Sequence, residues 1–392
     1  MPASTGTWAV FAGGGTGGHL YPGLAVAREL VSRGHDPTTL HFVGARRGLE
    51  ATTRALEGFP ATLLPGRGLR RDLSAASLAA NSRALAGEAA AVAMAMRLFA
   101  KWRPSVVVTL GGYAGLPCVV ASAAWGVPLV VVNVDAVPGA VNRLASRVAA
   151  ACAVGVPGVP LRKAMFTGVP VRAEMAAVDR GDEARRQARR RLGLPLEAMV
   201  VAVSGGSLGA LRLNRATAEL AELWSARSDV AIRHVVGRRD WDEFEARASS
   251  AAALGAPAGL VYQRVRYEED MAGLYAAADV AVQRAGANTV AELALAAVPS
   301  VLVPLPGAPG DHQGANARTL AAAGGAVVVP DAELDGHRLA RELEVLIAEP
   351  GLLARMGRAA RAIARPDATA AVADLVEEHA RRATRKVGAR AD

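Results

Sequence analysis

The sequence predicts an α/β protein built from two doubly wound parallel sheets, and three observations carry that expectation. Short apolar runs recur along the chain with helix-forming sequence between them, which is the alternation of a parallel sheet with crossover helices. The series starts twice, once at the beginning and again near residue 198. Each series opens on a strand followed by a glycine-rich turn, "AGGGTGGH" in the first and "SGGSLGA" in the second. Both turns would present helix-start amides towards a common cleft.

The first run is "WAVFA", followed by "GGGTGGHLYP" at residues 13–22 and by the helical "GLAVAREL". Glycine lets the backbone take positive φ and lets a ligand approach the main chain, while free amides at a helix start attract anions. A phosphate is the expected occupant. Gly13, Gly15 and Gly18 also satisfy G-x-G-x-x-G, the dinucleotide fingerprint, in its strand-turn-helix setting. That fingerprint gives His19 no task. It also expects an acidic residue at the end of the second strand, whereas "LHFVGARR" ends in Arg46 and Arg47. Two arginines suit a 2′-phosphate, so an NADP-dependent oxidoreductase is one alternative.

The next strand-like runs are "TTLHFVG", "ATLLP", "SVVVTL", "PLVVVN" and "AACAVG". No charged residue lies between Arg103 and Asp135, a length that would suit a membrane span. Gly111, Gly112, Pro117, Gly126 and Pro128 cut the stretch into "SVVVTL", "LPCVVASAAW" and "VPLVVV", the sizes of strand, helix and strand. A buried βαβ unit is the expectation. The charged segment "RAEMAAVDRGDEARRQARRRLGLPLE" then separates the two series. Beyond it come "AMVVAVSGG", "VAIRHVVG", "GLVYQRV", "DVAVQ", "PSVLVPLP" and "GAVVVP". The expected division is a first domain over 1–170, a linker over 171–197, a second domain over 198–368, and a final helix with a basic tail over 369–392. That last stretch could cross back to the first domain.

At 392 residues, 52% hydrophobic and 21% charged, the chain can bury the cores of two globular domains. Its two cysteines, Cys118 and Cys152, sit in apolar surroundings and suit buried thiols in a reducing cytosol. The opening "MPASTGTWAV" lacks the basic and continuous apolar regions of a signal peptide, so no export is expected. The net charge of +9 is all in the first part, since residues 1–170 hold 16 basic and 7 acidic side chains. An anionic partner for that part, whether nucleic acid, anionic membrane or phosphorylated substrate, is one explanation, and a solvated arginine-rich surface is the other.

Seven blocks stand in one order across roughly residues 8–365: "GGGTGGHLYPGLAVA", "LGGYAGLP", "AVPGAVNR", "TGVPVR", "SGGSLGALRLN", "RAGANTVAELA" and "DHQGANA". In that order they resemble the MurG family, the lipid-linked UDP-N-acetylglucosamine transferases of peptidoglycan synthesis. One glycine loop would be weak evidence, but seven ordered blocks are specific. The resemblance implies a GT-B fold, two Rossmann-like domains facing a central cleft, the first for the acceptor and the second for UDP-N-acetylglucosamine. It implies inverting transfer of N-acetylglucosamine to the 4-hydroxyl of a muramyl-pentapeptide on undecaprenyl (polyprenyl) pyrophosphate, making lipid II from lipid I. It implies no metal and no cofactor, a peripheral position on the cytoplasmic face of the cell membrane, an anionic membrane surface as partner, and no nucleic acid.

The same resemblance distributes roles. An inverting displacement needs a base beside the acceptor hydroxyl, and an imidazole titrating near neutrality suits it. His19 takes that role. Gly14, Thr16, Gly17 and Gly18 would shape the loop for the acceptor pyrophosphate, with Tyr113 and Asp135 on the acceptor side. In "RAGANTVAELA" a strand end turns into a helix, so the amides of Gly286, Ala287, Asn288 and Thr289 would meet the departing diphosphate. Glu292 would accept hydrogen bonds from the ribose hydroxyls. The spacing of Thr289 and Glu292 is also that of a capping box, which needs no ligand. Gln313 and Asn316 share one helical face for the sugar hydroxyls, with His312, where the family often has Gln, ranked below them. Ser207 would bind a phosphate, and Arg172 is read as a donor-side arginine.

Arg67, Arg70 and Arg71 beside a helical stretch ending in Leu98, Phe99 and Trp102 form the expected membrane patch, with core packing as the alternative. Asp240 and Asp242 spell D-x-D, a metal-nucleotide motif of another transferase fold, but they suit helix capping better and no metal is assigned. The chain also departs from the family. Val132, Asn133, Val134 and Asp135 replace a His-Glu-Gln-Asn tetrad, Leu208 replaces Gln, and Val169 replaces Asn. A carboxylate at Asp135 repels a diphosphate unless it is neutralised. A related glycosyltransferase with a different lipid or natural-product acceptor therefore stays open, as does a nucleotide-sugar sensing module, which would tolerate loss of His19.

Overall fold

The computed structural model describes residues 6–14, 17–46, 56, 58–65, 75–206, 209–245 and 259–388. The chain divides into two units, one of residues 1–172 with 367–392 and one of residues 173–366. In the first unit seven parallel strands lie in the order β3-β2-β1-β4-β5-β6-β7. They are β1 Ala9–Gly13, β2 Leu40–Ala45, β3 Ala61–Leu64, β4 Val106–Gly111, β5 Leu129–Asn133, β6 Ala151–Val154 and β7 Ala164–Phe166. Chain order reverses between β1 and β4, which pair directly with Val10 opposite Val107. In a doubly wound sheet that reversal opens a crevice at the carboxyl ends of the two strands.

Every residue of β4 and β5 is buried, as expected of strands covered on both faces. The uncharged stretch is indeed a βαβ unit, with the helix Leu116–Trp125 between the two strands. Among the described residues no helix is long and apolar enough to cross a membrane. The strand β7 carries no signal in the sequence, because its three residues are all exposed and it exists only by pairing with β6.

The helix Ala75–Trp102 corrects the expected membrane patch. Phe99 is 1% exposed within the core of the first unit, against which Leu98 and Trp102 also pack. The Trp102 ring lies 4.1 Å from that of His41. These side chains fill the space between helix and sheet; Arg67, Arg70 and Arg71 lie outside the described residues.

The second unit has six parallel strands in the order β10-β9-β8-β11-β12-β13. They are β8 Met199–Ser204, β9 Val230–Val235, β10 Val261–Val265, β11 Val280–Gln283, β12 Ser300–Leu302 and β13 Ala326–Val328. Order reverses here between β8 and β11. The segment expected as a linker is mostly part of this unit. Ala188 and Leu194 are buried in one of its cores, and Arg189, 4% exposed, donates to the Ala277 carbonyl and pairs with Asp279 at 2.6 Å. A charged helix reads as solvated in sequence, yet this one is anchored by a buried arginine whose donors are met by carbonyls and a carboxylate.

The last helix, Ala368–Gly388, belongs to the first unit. Arg33 joins it to the helix Gly17–Ser32, contacting Glu29 at 2.9 Å, Asp374 at 2.6 Å and Glu377 at 3.3 Å. Thr369 secures its start, its hydroxyl accepting from the Val171 amide and donating to the Val171 carbonyl.

Candidate active site

In the first unit the site grows from the carboxyl ends of β1 and β4. Gly13 and Gly14 leave β1 at φ +146° and +147°, and Gly111 and Gly112 leave β4 at +86° and +70°. The two exits touch. A Cβ added at Gly112 would lie 2.7 Å from the Gly14 carbonyl oxygen and 3.7 Å from both Nδ1 and Cε1 of His19. His19 is half-buried in the first turn of the helix Gly17–Ser32, so the glycines are what admit its ring to the crevice. Gly17 and Gly18 start that helix, and Tyr113 opens a short 3₁₀ turn directly after Gly112. Thr16 lies outside the described residues.

A buried amide pair supports the neighbouring loop, joining Asn133 of the divergent tetrad to Asn142, a partner the sequence reading did not find. Asn133 ends β5 at 2% exposed; its Nδ2 donates to the Asp135 carbonyl at 2.7 Å and its Oδ1 accepts from Asn142 Nδ2 at 3.0 Å. A Cβ at Gly111 would fall 2.7 Å from Asn142 Oδ1, so that glycine makes room for the amide. The available signal was the asparagine closing an apolar run. Two departures from the family meet in space: Val169 and the Val134 carbonyl both pack where a Cβ at Gly155 would be, at 2.6 and 2.5 Å.

Arg172, which the resemblance implies is a donor-side arginine, stands at a unit boundary. It is the last residue of the first unit before the chain leaves it, and its guanidinium lies over the Tyr21 ring at 5.8 Å, two residues from His19 in sequence.

In the second unit the ends of β8, β11 and β12 build the candidate site. Ser207 and Leu208 lie outside the described residues, but their neighbours Gly206 and Gly209 take φ +91° and +96°. After β11 the helix Ala287–Leu295 starts with Gly286 as its N-cap, and no side chain caps it. Thr289 is therefore the third helical residue, and the capping-box explanation of Thr289 and Glu292 does not apply. The amide end of this helix keeps its affinity for an anion. Asn316, 2% exposed, donates Nδ2 to the Ala285 carbonyl at 3.2 Å. One N–H of its amide thereby stiffens this turn. Gln313 Oε1 accepts from the Leu305 amide at 2.9 Å, which fixes the loop after β12, while His312 faces the Pro309 carbonyl.

Arg284 is a second residue the sequence reading passed over. Its Nη1 donates to the carbonyls of Val303 and Pro304 at 3.1 and 3.2 Å and pairs with Asp331 at 2.7 Å. It thereby ties the β11 turn to the β12 loop. Asp240 accepts from Arg239 Nε at 2.8 Å and from Asn214 Nδ2 at 3.1 Å, and it precedes a helical segment.

Residues 9–154 match the Glycosyltransferase family 28 N-terminal domain, and residues 200–378 match the Glycosyltransferase family 28 C-terminal domain. The chain is 39% identical over 382 residues to the UDP-N-acetylglucosamine--N-acetylmuramyl-(pentapeptide) pyrophosphoryl-undecaprenol N-acetylglucosamine transferase of Desulforudis audaxviator, spanning 96% of this chain and 99% of that relative. The chain belongs to the MurG family. A MurG relative of the same name from Alkalilimnicola ehrlichii is 41% identical over 374 residues, or 94% of this chain and 98% of the relative. The crystal structure of Acinetobacter baumannii MurG matches with a TM-score of 0.73 at 30% identity, over 95% of this chain and 99% of that one. A kitacinnamycin glycosyltransferase shares the fold, with a TM-score of 0.67 at 20% identity.

With the cap accounted for by Gly286, the role of Glu292 becomes testable. If its carboxylate spans a ribose diol, dUDP leaves an acceptor unpaired, at a cost of about 1–3 kcal/mol. UDP should bind more tightly than dUDP, and Glu292→Ala should erase most of the gap in calorimetric titrations. An undiminished preference would remove Glu292 from the site.

Proposed function

We propose that this chain transfers N-acetylglucosamine from UDP to the 4-hydroxyl of undecaprenyl-pyrophosphoryl-muramyl-pentapeptide, with inversion and with His19 as the base. The observation that carries the reading is the meeting of His19, Gly14 and Gly112 at the β1–β4 reversal, in a chain matching curated transferases of that name along nearly its whole length. A ring held beside two bare glycine backbones leaves space for an acceptor hydroxyl within reach of a nitrogen. The glycine backbone of Gly14, Gly17 and Gly18, with Thr16, would receive the acceptor pyrophosphate, and Tyr113 and Asp135 would flank it. In the second unit the Gly286–Thr289 amides and Ser207 would hold the donor diphosphate, Glu292 the ribose, and Gln313 with Asn316 the sugar, and Arg172 would serve the donor from the end of the first unit.

The test is incubation with UDP-N-acetylglucosamine and a short-chain lipid-linked muramyl-peptide, following UDP release. Steady release that requires the acceptor supports the reading. Donor binding without turnover on this acceptor sinks it and favours a different lipid or natural-product acceptor, the alternative that Asp135 raises.

A lipid-linked acceptor also calls for a peripheral membrane contact on the first unit. Leu144, Val148, Met165 and Phe166 are large apolar side chains left exposed, with Arg143, Arg147, Arg162 and Lys163 interleaved in sequence. Lys163 Nζ donates to the Ala149 carbonyl at 2.9 Å, which draws the edge strand β7 to the end of the Leu144–Val148 segment. We read this edge as the surface that meets anionic lipid, in place of the buried Phe99. Met165→Asp with Phe166→Asp should weaken sedimentation with phosphatidylglycerol vesicles while UDP binding holds. Phe99→Ala should instead lower stability by about 3–5 kcal/mol with vesicle binding retained below its unfolding temperature.

A further inference from the structure

Beneath the turn that follows β8 runs a chain of polar side chains that the transfer chemistry does not use. His234, on β9, is fully buried. Its Nε2 lies 3.0 Å from Asn214 Oδ1, and its Nδ1 lies 2.9 Å from the Tyr262 hydroxyl. The other contacts of Asn214 settle the direction of these bonds. Asn214 Nδ2 donates to the Val236 carbonyl at 2.9 Å and to Asp240 Oδ2 at 3.1 Å, so Oδ1 is the acceptor and His234 Nε2 carries the proton. Nδ1 is then bare and accepts from the Tyr262 hydroxyl. Burial, with Arg264 adding to it, holds the imidazole neutral, its pKa pushed down to about 3. The chain runs one way, from Tyr262 through His234 and Asn214 to Asp240.

Its far end meets Gly209. A Cβ there would lie 2.5 Å from the Val236 carbonyl oxygen and 2.7 Å from Asp240 Oδ2, the same two oxygens that receive the Asn214 amide. Arg239 closes the arrangement, donating Nε to Asp240 Oδ1 at 2.8 Å and Nη2 to the Gly209 carbonyl at 3.3 Å. The Gly209 amide donates to the Gly206 carbonyl at 3.0 Å. An apolar side chain would serve the packing at position 234 equally well. A histidine instead loses the hydration of two ring nitrogens, and only ordered polar partners offset that loss, so the chain selects one arrangement of Asn214.

We infer that His234 is a positioning residue for the donor diphosphate: through Asn214 it fixes Val236 and Asp240, and these fix the Gly209 end of the turn after β8. The inference rests on the donor reading of the second unit given above.

Calorimetric titration with UDP and with uridine, which lacks the diphosphate, tests it on the wild type, His234→Leu, His234→Gln and Tyr262→Phe. Glutamine keeps an N–H within reach of Asn214, whereas leucine fills the space without one. His234→Leu should weaken UDP about tenfold and leave uridine within about twofold, and His234→Gln should recover most of the loss. Tyr262→Phe should give a smaller loss of the same kind, and it carries the test should the leucine variant not fold. Equal weakening of UDP and uridine, or unweakened UDP, overturns the inference. A wild type that binds UDP no more tightly than uridine overturns the donor reading, and the inference with it.

Discussion

His19→Ala should lower kcat by about 10²-fold or more while the affinity for UDP stays within about twofold. A base acts on the proton leaving the acceptor hydroxyl, and its loss removes an interaction made in the transition state. His19 sits in the first unit, in the helix turn that follows Gly14, whereas the residues proposed to hold UDP, Arg172 aside, lie in the second. The two effects should therefore separate. Steady-state rates with the lipid-linked acceptor, beside calorimetric titration of UDP, measure both. Collapse of UDP binding with kcat intact would mean that His19 is no base, and full activity of the variant would remove His19 from the chemistry altogether.

Gly112→Ala should be nearly as damaging, although it adds a single methyl. Its φ of +70° with ψ of 163° is a conformation essentially reserved for glycine, which disfavours any side chain by about 1–3 kcal/mol. The larger effect is contact, because the new Cβ would lie 2.7 Å from the Gly14 carbonyl oxygen, a backbone atom, and 3.7 Å from the His19 ring. The Gly14 backbone has to move, and a displacement of the order of 1 Å at a catalytic group costs about 10²-fold in rate. Gly126→Ala is the control. Gly126 has a φ of +66° and a ψ of 21° in the same unit with nothing within 4 Å of its added Cβ, so it bears the milder strain of the left-handed region without the clash. The expected result is a loss of kcat of about 10²-fold for Gly112→Ala and near wild-type kcat for Gly126→Ala. Equal activities would show that the close approach at Gly112 has no part in catalysis.

The strands were legible wherever a short apolar run had to be buried on both faces, as in "SVVVTL" and "PLVVVN". β7 was not, because an exposed edge strand of three residues needs no apolar signature. The segment over 171–197 was misread for a related reason: Arg189 looks solvated in sequence, and only the fold brings Asp279 and the carbonyls around it. The same holds for Phe99, whose membrane reading and core reading share one sequence pattern. The capping box failed by register alone, since the helix starts at Ala287 and leaves Thr289 inside its first turn.

By itself the sequence determined the two-sheet class, the positions of the glycine turns, the family and the candidate His19, because these follow from local periodicity, from glycine's backbone freedom and from ordered blocks. The tertiary structure decided which of those residues meet. Gly112 lies nearly a hundred positions from Gly14, and Asn133, Asn142 and Gly111 come from three separate elements. Tyr262, His234 and Asn214 likewise lie on β10, β9 and the helix Leu211–Leu223, and Asp240 lies in the turn beyond β9. Contacts of that kind depend on strand order, which reverses at β1–β4 and at β8–β11, and the crossovers that set this order leave no mark on the residues they bring together.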